Sequence, residues 1–157
     1  VSVTEFINDG KKNVLPGNGL IKGDARAFSQ DTNTMIEKNM RQLVEGICSS
    51  FGVSAEVKYE TTCPVTFNQP KQAEAAIKAA VTLLGEDKCN GDIDPRPFSE
   101  DFSIMSEHTP GCFVLMGNGT SGSYGRPLHS ADYDFNDELL VKGSSYWVEL
   151  SEQQLKL

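Results

Sequence analysis

The sequence predicts an α+β layer, an antiparallel-type sheet with a helix on one face, followed by a segment of α/β character. Three observations lead there. Two stretches near the start, Val1–Ile7 and Gly19–Ser29, alternate with the period of a strand. Asp31–Phe51 repeats its apolar residues with the period of a helix. After Asn68 a helical pattern is followed by a continuous apolar run, Cys112–Met116, of the kind found in strands buried on both faces.

In the first stretch Val1 and Val3 share one face, and Ser2 and Thr4 share the other. A turn-rich loop follows, with Pro16-Gly17 and Asn18-Gly19 as breakers. In the second strand Ile21, Gly23, Ala25 and Ala27 form a small apolar face suited to lying under a helix. Leu20, Lys22, Asp24, Arg26 and Phe28 point the other way. The long helix carries Met35, Ile36, Met40, Leu43, Val44, Ile47 and Phe51 at spacings near three and four, and Gly52 stands where a left-handed residue would stop it. Ala55–Thr61 alternates again, with Val57 and Tyr59 opposite Glu56 and Lys58. Strand, strand, helix, strand makes the α+β layer.

Pro70–Leu84 reads as a helix with Ala73, Ala76, Ile77, Ala80, Val81 and Leu84 on one face, opened by a proline that suits the first turn. Ser99 can cap a short helix whose first turn holds Glu100 and Asp101. The Cys112–Met116 strand leads into a Gly/Ser-rich loop, GNGTSGSYG, and a last helix runs from Asp137 towards Leu157 with Asn136 as its cap.

At 157 residues, with 38% hydrophobic and 23% charged residues, the composition is that of a globular chain. No apolar run approaches the roughly 18 residues that a membrane span needs. A strand pattern already running at Val1, with no initiator Met, suggests a cut or truncated chain. The net charge of −8 argues against a nucleic-acid partner, which would require basic patches. Residues 1–68 carry a net −1 and residues 69–157 a net −7. The acidic part is either a solvated surface or a cluster that helps hold a cation. Cys48, Cys63, Cys89 and Cys112 form no CxxC pair and no zinc-ribbon spacing, so reduced core cysteines of a cytoplasmic protein are expected.

His129 is the histidine best placed for chemistry, because it follows a Gly-rich loop beyond a buried strand. Asp132, Asp134, Asp137 and Glu138 lie close enough in sequence to orient its imidazole or share a cation. The plain alternative is a structural or surface histidine; His108, beside Thr109-Pro110-Gly111, reads as a turn residue. GNGTSGSYG lacks the Lys-Ser/Thr ending of a P-loop, and no serine sits in a GxSxG elbow. A catalytic zinc site needs about three protein ligands. One histidine does not complete a catalytic constellation.

LHSADYDFND, with GCFVLMGNG before it and SSYWVEL after it, resembles the C-terminal end of the hippurate hydrolase and auxin-amino-acid hydrolase family. That family lies within the aminoacylase and carboxypeptidase-like metalloenzymes. SEDFS, VSVTEFINDGKKNVLPGNGLIKGDARAFS and PVTFN resemble further family segments in collinear order. The resemblance implies an incomplete lid and dimerisation domain over residues 1–68 and the C-terminal part of a metal-dependent catalytic domain over residues 69–157. His129 would be a metal ligand. Asn13 and Arg26 would reach across a homodimer to hold the substrate's carboxylate, a task for which the planar guanidinium is suited. On the residues alone, Asn13 reads as a turn residue and Arg26 as a solvent-facing strand charge. Glu100 lies near the site in this family and reads as a capping-turn acid.

The family's His-x-Cys-Gly-His-Asp motif and its Glu-Glu pair, which carries the general base, are absent from this sequence. The resemblance therefore implies no catalytic residue in this chain and no activity for it alone. The whole enzyme would use two divalent ions, zinc or manganese, to activate water and polarise the amide of an N-acyl amino acid or small peptide. Two readings stay open beside this one: a non-catalytic dimerisation or binding module descended from such an enzyme, and a related peptidase with another acyl preference.

Overall fold

The computed structural model describes residues 1–155. Strands β1 (Ser2–Asn8) and β2 (Gly19–Asp24) pair antiparallel, from Asn8 opposite Gly19 to Ser2 opposite Asp24. The register shifts between Val3 and Glu5, so Thr4 forms a bulge. Gly23 lies beside it, and a Cβ there would strike the Ser2 carbonyl, so glycine is needed for the close approach.

Helix α1 (Gln30–Ser50) starts where Ser29 accepts a hydrogen bond from the Thr32 amide at 3.1 Å. It ends in a Schellman arrangement. The Val53 amide donates to the Cys48 carbonyl at 3.0 Å, the Gly52 amide donates to Ser49 at 3.2 Å, and Gly52 has φ +66°. Ile36, Met40, Val44 and Cys48 form its half-buried face, whereas Met35, Leu43, Ile47 and Phe51 are exposed.

Helix α2 (Pro70–Leu84) packs on α4 (Glu138–Leu155). Ala76 and Ala79 are buried there, and Tyr146 is buried with its hydroxyl donating to the Ala76 carbonyl at 3.4 Å. Small residues at the crossing leave room for the phenol ring. Burial raises the Tyr146 pKa, with a smaller contribution from Cys112; burial also raises the Cys112 thiol. Helix α3 (Phe102–His108) is short, and His108 is its last residue.

The described residues divide into two compact units. One comprises Val1–Val65 with Pro95–Ser103; the other comprises Thr66–Asp94 with the residues from Ile104 onward.

Several expected elements come out differently. The second strand stops at Asp24 rather than Ser29, because Asp24 already pairs with Ser2 and β1 offers only Val1 beyond it. Arg26 is therefore not a strand residue; Ala25 and Ala27 are half-buried, but Ile21 and Gly23 are exposed. Ala55–Thr61 keeps the expected alternation, with Val57 and Tyr59 half-buried, but joins no ladder among the described residues. Side chains tie it to α1 instead. Arg41 Nη1 donates to the Val57 carbonyl at 2.8 Å, and the Tyr59 hydroxyl donates to Asn33 Oδ1 at 2.6 Å.

Cys112–Met116 is likewise unpaired by any strand among the described residues, and Val114, Leu115 and Met116 are exposed rather than buried on both faces. The Asn68 side chain stands in for a strand neighbour. Its Nδ2 donates to the Phe113 carbonyl at 2.9 Å, and its Oδ1 accepts from the Phe113 amide at 2.8 Å. Ser99, Glu100 and Asp101 precede α3 rather than opening it. The last helix is followed to Leu155, and its expected end at Leu157 lies outside the described residues. The four cysteines are free, and all are half-buried rather than core. No helix among the described residues is long and apolar enough to cross a membrane.

Candidate functional site

His129 has φ +69°, the one positive φ at a non-glycine residue among those described. An L-residue with a ring side chain pays in strain for that conformation, and such residues gather at functional sites when the surroundings hold them. The surroundings here do. Arg126 Nη1 meets Asp132 Oδ2 at 2.9 Å, closing the segment on either side of His129. The Ser130 amide and hydroxyl both donate to the Pro127 carbonyl, at 3.2 and 2.8 Å, and the Tyr133 amide donates to Ser130 at 3.1 Å. The His129 side chain is exposed at the turn these contacts form.

The base of the loop is held by Asn118. Its Nδ2 donates to the carbonyls of Tyr124 at 3.0 Å and Asp134 at 2.8 Å, and its Oδ1 accepts from the Asn136 amide at 2.8 Å. One amide thus uses both donors and its acceptor to join three stretches of backbone. Asn136 in turn caps α4, with Oδ1 accepting from the Glu138 amide at 3.1 Å. Sequence reasoning named Asn136 but passed over Asn118. The signal was an Asn-Gly pair inside a glycine-rich loop, where an asparagine side chain can replace missing backbone partners.

Asp132 was expected to orient the imidazole or share a cation; it is engaged by Arg126 instead. Among the described residues no three His, Cys, Asp or Glu side chains converge as a metal site. His129 offers one exposed imidazole, and the acidic residues near it in sequence complete no such cluster among the described residues.

Asn13 lies at the tip of an ordered prong between β1 and β2. Lys11 and Val14 exchange amide–carbonyl hydrogen bonds at 3.0 and 3.1 Å, leaving Lys12 and Asn13 as the turn between them. The prong's base is clasped by Asp9. Its carboxylate accepts from the Gly17 amide at 2.9 Å, the Asn18 amide at 3.2 Å and Asn18 Nδ2 at 3.2 Å. The Asn18 hydrogen bonds lead in holding the Asp9 pKa below its ordinary value.

Arg26 follows β2 by two residues. Its Nε donates to Asp24 Oδ2 at 2.7 Å, and its Nη1 donates to the Pro97 carbonyl at 2.7 Å. Asn13 and Arg26 lie in one compact unit and His129 in the other.

The family model described as Peptidase family M20/M25/M40 matches residues 3–153. The chain belongs to this family. It is 28% identical to the hippurate hydrolase of Campylobacter jejuni, over 99% of this chain and 40% of that protein. It is 31% identical to the N-acetylcysteine deacetylase of Bacillus subtilis, over 96% of this chain and 38% of that protein. A crystal structure of the Bacillus subtilis YXEP protein, described as a dinuclear metal-binding peptidase of the M20 family, matches with TM-score 0.83 and 28% identity. That match covers 99% of this chain and 41% of the other. A structure from methicillin-resistant Staphylococcus aureus, 23% identical with TM-score 0.78, shares the fold. The chain spans about two fifths of the length of these relatives.

Proposed function

We propose that the chain is part of a metal-dependent amidohydrolase that cleaves the amide bond of N-acyl amino acids of the hippurate kind. In this reading His129 is a ligand in a centre of two divalent ions, zinc or manganese. Its other donors and the general base come from sequence outside this chain, and the chain alone is inactive. Residues 1–68 serve as lid and dimerisation domain, and residues 69–157 as the C-terminal part of the catalytic domain. Asn13 and Arg26 hold the substrate's carboxylate across a homodimer of a cytoplasmic enzyme.

The observation that carries the reading is the exposed, left-handed His129, braced by the Arg126–Asp132 pair and the Asn118 amide. A strained backbone held by so many contacts suits a side chain that must be aimed. The pairing of lids is supported by a two-stranded sheet whose residues are exposed and whose outer edges have no strand beside them among the described residues. The exposed apolar stripe of α1 also suits a non-catalytic binding role, the second reading.

A graft tests the proposal. This chain replaces the matching part of the Bacillus subtilis N-acetylcysteine deacetylase, and hydrolysis of hippurate and N-acetylcysteine is followed. Chelator-sensitive activity that disappears in His129→Ala is expected. Activity that survives His129→Ala removes His129 from the centre. Chelator-sensitive hydrolysis by the ungrafted chain overturns its predicted inactivity.

A further inference from the structure

The guanidinium of Arg26 is already half committed. Arginine has five N–H donors, and it grips a carboxylate best through two parallel ones, from Nε and Nη2 or from Nη1 and Nη2. Here Nε is taken by the Asp24 carboxylate and Nη1 by the Pro97 carbonyl, while Nη2 makes no hydrogen bond among the described residues. Pro97 contributes a neutral backbone oxygen that fixes the plane of the guanidinium. Asp24 contributes a charged side chain of the same chemical class as the expected ligand, standing on one of the two gripping edges. The pair is about half exposed on both sides, 50% for Arg26 and 56% for Asp24, so solvent and ligand can reach it.

We propose that Asp24 is a specificity-determining residue, an internal carboxylate that competes with the ligand's carboxylate for Arg26. The inference rests on the reading of Arg26 as the group that holds the substrate's carboxylate. An arriving anion must displace Asp24 from Nε or accept the edge that Pro97 partly occupies, and in either case it meets a like charge nearby. Affinity for an anionic ligand is thereby lowered and release is hastened, while the plane of the guanidinium stays set by Pro97. Exposed ion pairs are weak, so the competition is modest: removing it tightens carboxylate binding about two- to five-fold.

The test is a titration of hippurate, and separately of its uncharged primary amide, into the graft described above carrying the native chain, with its metal removed by chelator to stop turnover, and into the same graft with Asp24→Asn, Arg26→Gln and the double variant. Circular dichroism checks each fold, and Asp24→Ser serves if Asp24→Asn does not fold. The expected result is tighter hippurate binding in Asp24→Asn, unchanged binding of the amide, and loss of the gain in the double variant. Equal hippurate affinity in the native chain and Asp24→Asn, with weaker binding in Arg26→Gln, overturns the competition and leaves the role of Arg26 standing. Hippurate binding that is absent throughout, or indifferent to Arg26→Gln, removes that role and the competition with it.

Discussion

Arg126 and Asp132 meet at 2.9 Å across the residues that hold His129 in its left-handed turn. The pair is more than half exposed on both sides, 54% and 57%, so it contributes only about 0–1 kcal/mol to stability. Its effect should instead be local. Arg126→Ala is expected to leave the unfolding midpoint nearly unchanged but to move the His129 Cα and Cβ chemical shifts away from left-handed values. Shifts identical to the native chain's would show that the turn holds without the pair.

Asn118 should matter more. Asn118→Ala removes three hydrogen bonds to half-buried or loop backbone and leaves the Asn136 amide without its acceptor. A loss of about 1–3 kcal/mol is expected in urea unfolding. Amide exchange at Asn136 should quicken, while the signals of Tyr146 between α2 and α4 stay in place. A variant as stable as the parent would mean that water replaces the side chain without cost.

The prong that carries Asn13 should loosen in acid. The folded-state pKa of Asp9 lies below its ordinary value of 3.8, so the contribution of its carboxylate is complete above that value. It is lost as pH falls through the lower folded value, where protonation ends the hold on Gly17 and Asn18. Amide exchange or chemical shifts at Gly17 and Asn18, followed down from pH 5, should change in this window, and Asp9→Asn should abolish the change. A transition centred above 3.8 would contradict the assignment.

At the end of α1, Gly52→Ala places a Cβ at φ +66°, where space is open but the backbone is unfavourable for an L-residue. The expected cost is about 1–2 kcal/mol, read as a lowered midpoint of thermal unfolding. Space alone would allow the alanine, so an unchanged midpoint would mean that the helix end rearranges.

The helices were the most legible part of the sequence because their signals are local. Pro70 and Gly85 bracket α2 as expected, Gly52 stops α1, and Asn136 caps α4. The strands were legible only in their alternation. Val57 and Tyr59 face inward as the pattern implied, but a ladder depends on a neighbour, which the pattern of one segment does not report. The site was legible in part for the same reason. His129 stood out by its setting after a Gly-rich loop, and Asn13 by its turn. The residues that brace them, Asn118, Asp9 and Arg126, act through partners up to 18 positions away; only Asn118 stands in a local signal, its Asn-Gly pair, and that pair does not name its partners.

The small number of buried side chains has a calorimetric consequence. Ala76, Ala79, Ser103 and Tyr146 are the buried residues among those described, and large apolar groups such as Leu15, Phe51 and Trp147 already face solvent. Unfolding therefore hydrates little new hydrocarbon. Both the heat-capacity increment and the denaturant slope of this chain should fall below the usual values for its length. Its melting should be spread over a wide temperature range, and a ligand or second subunit that covers those groups should sharpen it.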